Sequence, residues 1–217
     1  MAYDALVESV RLIEHGLPDA PGRLSRRRRF APVAVDVDGD IAVTMFVRRG
    51  VNGELWRDNH ALCRRRGGWH VLGGGSGNAA AGLLRDRPVG HRGLWVSTGG
   101  GGTNRDAGRV LPFPAPRFIR YVTLQVVDVV DVVDVVDVVD VVGSRQIVVP
   151  WHGTVCVVWQ TRRPPTLSLL DIEGSELERL DVSTVVGPRS PVIAFRTPWR
   201  RRRRHPAQGE RRRASPG

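Results

Sequence analysis

Two periodicities run along this chain, and the helical one covers only its beginning. Tyr3, Leu6, Val7, Val10 and Ile13 recur at helical spacing between Ala2 and His15, which predicts an amphipathic helix. Asp4 falls in its first turn, where the macrodipole favours an acid, and Gly16 and Pro18 stop it. Pro18 to Arg29 reads as a loop, and beyond it the period becomes two. Val33, Val35 and Val37 alternate up to Asp38-Gly39, the dipeptide that a type I′ hairpin prefers, and Ile41 to Val47 runs back. Arg48 to Gly53 is a second turn, Glu54 to Arg64 another strand, and Gly67-Gly68 turns into Trp69 to Leu72. Together these predict a four-stranded meander.

The pattern then thins. Gly73 to Gly77 and Gly99 to Gly102 read as flexible glycine loops around a weaker segment, Leu94 to Ser97. The proline-rich stretch Pro112 to Pro116 is the expected domain boundary, followed by a strand from Phe118 to Val127. Next, Asp128, Asp131, Asp134, Asp137 and Asp140 are separated by valine pairs. A period of three suits neither regular structure. Successive aspartates would step about 60° round a helix and would alternate faces in a strand. The tract is therefore expected as an edge strand or as a loop bulging from a once shorter strand, with slippage of a nine-base gene repeat as its origin. Strands resume at Gln146 to Val149, Thr154 to Gln160 and Thr166 to Ile172, and Glu173-Gly174 turns into Leu177 to Val182.

The expected fold class is mainly β (α+β): antiparallel meanders or a sandwich, one N-terminal helix, and a disordered tail. The expected divisions are 1–111, the helix and first sheet; 117–186, a second β subdomain with the Asp-Val-Val tract; and 187–217, the tail. The 25 glycines and 15 prolines suit short strands and tight turns better than a helical bundle.

Charge changes the picture only at the end of the chain. The net charge is +11, and all 33 basic residues are arginine, a total replacement that GC-rich codon usage explains better than any partner does. From Gly187 onward ten arginines face one acid, Glu210, a balance of +9; the first 186 residues hold 23 arginines and 21 acids, a balance of +2. The run Arg200, Arg201, Arg202, Arg203, Arg204 with Arg211, Arg212, Arg213 is a candidate polyanion contact, salt-dependent and indifferent to sequence. The opening residues carry acids and no basic start, unlike a secretory signal, and no apolar run is long enough to span a membrane, so a cytoplasmic location and no membrane partner are expected.

Candidate chemistry is sparse. Asp36, Asp38 and Asp40 invite a calcium loop, but the sixth and twelfth positions would be Ile41 and Val47, so solvent-facing hairpin acids are the expectation. His60, Cys63 and His70, with His152 or Cys156, fit no zinc spacing, and strand alternation puts His60 and Cys63 on opposite faces. The two cysteines are expected as buried thiols. The glycine runs lack the lysine of a P-loop and a following helix. His152 and Cys156 share a strand face but stand about 13 Å apart, too far for a nucleophile and its base. Trp56, Trp69, Trp95, Trp151 and Trp159 are expected mostly in the core, with one or two available to a binding rim.

Trp56-Arg57-Asp58-Asn59-His60 with Gly68-Trp69-His70-Val71-Leu72-Gly73-Gly74-Gly75, and Val149-Pro150-Trp151-His152-Gly153 leading to Val157-Val158-Trp159 and Arg163-Pro164-Pro165, resemble a group of proteins of GC-rich actinobacteria. The resemblance spans most of residues 1–186 outside the repeat tract and implies no activity. The Gly39-Asp40 hairpin followed by a Gly-Trp strand is similar to the sheet half of NTF2-like domains. The expected function is thus a non-enzymatic binding or interaction domain without catalytic residues, metal or cofactor. Tail-mediated nucleic-acid binding is the alternative, and a hydrolase-like enzyme through His152 and Cys156 ranks third.

Overall fold

The computed structural model describes residues 3–19, 24–79, 82–90, 93–106, 117–129, 136 and 138–185. The chain divides into a unit from Met1 to Gly187 and a second from Pro188 to Gly217. The second unit, with the arginine tail, lies outside the described residues, as does the Pro112–Pro116 connector.

Helix α1 spans Ala5–His15. Asp4 is its N-cap rather than a first-turn acid, its carboxylate accepting from the N–H groups of Leu6 and Val7 at 2.9 and 3.0 Å. Gly16, at φ 73°, closes it with a hydrogen bond to the Leu12 carbonyl. The buried face is not the expected stripe. Glu8, Ser9 and Leu12 turn inward, while Leu6 and Val7 remain 40% and 53% exposed. Two polar tethers accompany this rotation: Ser9 Oγ to Thr44 Oγ1 at 2.7 Å, and Tyr3 Oη to His60 Nε2 at 2.6 Å.

Strands β1 (Phe30–Asp38), β2 (Ile41–Arg49), β3 (Leu55–Arg65) and β4 (Gly68–Asn78) form the expected antiparallel meander, in that order. The first turn is Gly39-Asp40, and only Gly39 has positive φ, the pattern of type II′ instead of I′. The doubly positive turn occurs at Arg66-Gly67, with φ of 49° and 83°. Beyond the short β5 (Val89–Gly90), β6 (Trp95–Asn104) and β7 (Phe118–Val126) pair antiparallel. Both glycine runs are therefore strand, not loop: Gly73 to Gly77 continue β4, and Gly99 to Gly102 lie within β6.

The repeat tract enters β8 (Asp128–Val129), parallel to β5, and ends in β9 (Val138–Val141). Residues 130–135 and 137 lie outside the description. Strand β9 is no edge: it sits between β10 (Arg145–Val148) and β12 (Thr166–Leu170), with β13 (Glu176–Asp181) beyond. Period three conflicts with strand alternation only when two aspartates share a strand. β9 holds one, with Val139 and Val141 buried on either side of Asp140. Strand β11 (Thr154–Trp159) pairs with β7, and the short helix α2 (Val182–Val185) ends the described chain.

The three larger sheets stack. In β7, Ile119 and Tyr121 join Val33, Val43, Met45 and Ala61 of the meander in one apolar cluster. Val122, Leu124 and Val126 join Val139, Val141, Leu167 and Leu169 in another. Sheet β11-β7-β6 is thus the middle layer, which explains why all six residues of β11 are buried. Helix α1 covers the outer face of the meander, where Ala42, Thr44 and Phe46 of β2 are also buried. Residues on both sides of Pro112–Pro116 share the first cluster.

Candidate functional site

The residues singled out by their chemistry do not converge. His60 lies on the helix-facing side of β3, in an aromatic group with Tyr3, Phe30 and Phe46. Burial holds its pKa below the usual imidazole value and raises that of Tyr3, so a neutral phenol and a neutral ring share the hydrogen bond. Cys63 lies on the opposite face, in the core between the sheets, as alternation requires. His70 is exposed. His152 is buried just before β11, its Nδ1 accepting from the Thr154 N–H at 3.0 Å, which leaves that nitrogen occupied. Cys156 is buried and free, and burial raises its thiol pKa, which suppresses the thiolate. Among the described residues no three of His, Cys, Asp and Glu gather as metal ligands would, and no helix is long and apolar enough to cross a membrane.

The hairpin acids depart from expectation. Asp36 is buried and accepts from Arg145 Nε at 2.7 Å, from Arg145 Nη2, and from the Val158 N–H at 2.7 Å. Asp38 stands 3.6 Å from the same guanidinium. Asp40 takes both terminal nitrogens of the buried Arg105, which holds its carboxyl below the usual range. Asp36 is thus a buried clamp and not a solvent-facing acid, whereas Asp38 is half-exposed and Asp40 exposed as expected, each still paired with an arginine that fastens the hairpin to the other sheets. Sequence spacing could not find them, because Arg105 and Arg145 are remote in the chain. Of the tryptophans named above, Trp159 is buried and the others are half-buried. Trp95 donates to Glu178 at 3.0 Å, and Trp151 packs edge-on against His152.

A cavity of about 560 Å³ opens between α1, the loop preceding β1, and the outer face of the meander. Leu12 of α1, Phe30 and Pro32 of β1, and Phe46 of β2 supply its apolar walls, with Leu17 and Pro18 at the helix end. Glu8, Arg11, His15, Arg27 and Arg28 add polar groups. The geometry follows from local sequence: Gly16 and Pro18 end the helix, and the chain returns along Arg26 to Arg29 into β1. Ser25 pins that return, its Oγ accepting from the N–H groups of Arg27 and Arg28 at 3.2 and 3.0 Å. Glu8 is buried and lies 3.4 Å from Arg11. Arg27 and Arg28 are exposed, and neither makes an ion pair among the described residues. The sequence reading missed all of these residues. Their signal was available in the arginine cluster facing the end of the amphipathic helix, but it was absorbed into the codon-usage argument.

The tail arginines Arg200 to Arg204 and Arg211 to Arg213 lie outside the described residues. No family model, curated protein or solved structure matches this chain.

Proposed function

We propose that the folded unit is a non-enzymatic binding domain and that the cavity beneath α1 takes a small amphipathic anion, an apolar body with one carboxylate. The supporting observation is the pairing of apolar walls with a cationic mouth: Leu12, Phe30, Pro32 and Phe46 inside, and three arginines against a single acid around them. Its volume of about 560 Å³ falls within the range of small-molecule pockets. Burial of the ligand's apolar body supplies affinity, while Arg27 and Arg28 select the charge of its head. The arginine run at 200–213 supports polyanion binding as a second reading, on charge count alone.

Thermal melts of the full chain with decanoate, decanol or decyltrimethylammonium, each below its micelle-forming concentration, test the first reading. Decanoate should raise the melting temperature in a saturable way, decanol less, and the cation not at all. Substituting Arg27→Ala with Arg28→Ala should leave the unliganded melting temperature unchanged and erase the preference for decanoate over decanol. Equal stabilisation by the cation, or none by any of the three, would remove the proposal.

A further inference from the structure

The two glycine runs face each other across the gap between sheets. Gly73, Gly75 and Gly77 of β4 pair with Ala61, Asn59 and Arg57 of β3, and Ala61 belongs to the core between the meander and the middle sheet. Gly99 and Gly101 of β6 pair with Thr123 and Tyr121 of β7, the latter in the same core. The strands come together at one end, where a Cβ on Gly73 would stand 3.1 Å from Thr103 Oγ1. Toward the other end they leave room, since a Cβ on Gly77 would meet nothing within 4 Å. The result is a slot with glycine on both walls and the side chains of Arg57, Asn59, Tyr121 and Thr123 as its floor.

That floor is unmatched. Arg57 donates from Nη1 to the Thr98 carbonyl at 3.0 Å, but its Nε–H is buried without an acceptor. Asn59 Oδ1 and Thr123 Oγ1 are likewise buried without partners, on residues 7% and 0% exposed. Arg57 makes no ion pair among the described residues. Burial raises the Tyr121 phenol pKa against an opposing hydrogen bond with Asn59. Buried polar groups are nearly always satisfied, so three orphans meeting under two glycine strands call for an explanation. The glycines fit one. A Cβ on Gly99 would lie 3.3 Å from Arg57 Nη2 and 3.5 Å from Thr123 Oγ1, and one on Gly101 would lie 2.8 Å from Tyr121 Oη. Side chains there would press on these groups, whereas glycine lets the two strands close over them without filling the space.

We propose that this slot binds a small carboxylate that also carries a hydrogen-bond donor, of the α-hydroxy or α-amino acid type. The charge decides the class: the floor has one cation, which a monoanion neutralises and a phosphate dianion exceeds. The Nε and Nη2 edge of Arg57 matches the two oxygens of a carboxylate, Thr123 donates to one of them, and Asn59 Oδ1 accepts from the ligand's own donor. Gly75 and Gly101 are exposed at the mouth. The ligand reaches the occluded floor as β4 and β6 part, which no ladder prevents because they are edge strands of separate sheets. The site is independent of the cavity beneath α1, on the opposite face of the meander.

The test is a titration of the full chain, labelled with ¹⁵N-glycine, with lactate, acetate, inorganic phosphate or sodium chloride at matched ionic strength. Lactate should shift a few glycine amide signals saturably, assigned to β4 and β6, and leave that of Gly16 at the cavity unmoved. Acetate and phosphate should bind more weakly, and chloride should produce no such pattern. Thr123→Val should melt like the parent, because its hydroxyl has no partner, and should weaken lactate about threefold. Arg57→Gln should weaken it on the order of tenfold or more. Several results would overturn the proposal: non-saturating shifts spread over all glycines, phosphate binding more tightly than lactate, or lactate affinity unchanged in Thr123→Val. The valine variant decides the matter even if Arg57→Gln fails to fold.

Discussion

The meander and the middle sheet meet along two seams that treat a half-buried arginine in opposite ways. Along β1 and β11, Arg145 donates to both oxygens of Asp36 and to the Val158 carbonyl, and Asp36 also takes the Val158 N–H. Along β4 and β6, Arg57 has one backbone carbonyl and an orphaned Nε–H, and Asn59 Oδ1 and Thr123 Oγ1 on the same floor are also without partners. One guanidinium is enclosed by partners and the other waits for them. A matched ion pair locks a seam; an unmatched polar group costs stability and persists where something else matches it. The contrast separates a matched from an unmatched arginine in a chain that uses arginine for every basic position.

The largest effect should come from unmatching the closed seam. Asp36→Ala strands Arg145 with Asp38 at 3.6 Å as its remaining acid, and removes the acceptor of the Val158 N–H. A loss of about 3–5 kcal/mol in denaturant unfolding is expected, the scale for breaking a buried pair from one side. A loss under about 1 kcal/mol would mean that the pair does not hold the seam and that the comparison fails.

Acid should loosen the same seam more gently, through His152. This side chain is 4% exposed and hydrogen-bonds to the backbone of Val33 on β1, and burial pulls its pKa from 6.5 to about 4. The folded state therefore favours the neutral ring. The stabilisation is whole above pH 6.5 and is lost as pH falls toward 4, up to about 3 kcal/mol. Unfolding free energies measured across this range should fall less steeply in His152→Gln than in the parent. Equal slopes would assign the acid sensitivity elsewhere, with His60, shifted in the same direction, as the first alternative.

What the sequence made legible were features with short-range causes. Alternating valines placed the four-stranded meander, and α1 ended where Gly16 and Pro18 were expected to stop it. The misreadings have long-range causes. Glycine has no side chain to alternate, so Gly73 to Gly77 and Gly99 to Gly102 carry no strand period; their neighbours β3 and β7 hold them in ladders. The aspartate repeat conceals β9 because its period speaks against a long strand and is silent about a short one. The face of α1 is turned by Thr44 and His60, more than thirty residues away. Neither proposed site was visible, since each depends on which strands face each other, and a single periodic pattern does not encode that.

The smallest effect, and the sharpest form of the comparison, is that of Arg57→Met set beside Arg145→Met, each placing an apolar residue of similar length. Arg145→Met leaves Asp36 buried with the Val158 N–H as its one retained partner among those described, so it should cost nearly as much as Asp36→Ala. Arg57→Met strands no carboxylate; it removes an orphaned Nε–H and gives up one hydrogen bond to the Thr98 carbonyl. The two changes offset each other, since each is worth on the order of 1 kcal/mol. Stability in a buffer free of carboxylates and phosphate should therefore stay within about 1 kcal/mol of the parent, on either side. Denaturant unfolding of both variants, run together, measures the difference. Comparable losses would make Arg57 a structural group like Arg145 and leave the glycine slot without a reason to exist, whereas a loss confined to Arg145→Met marks Arg57 as a cation whose counterpart comes from outside the chain.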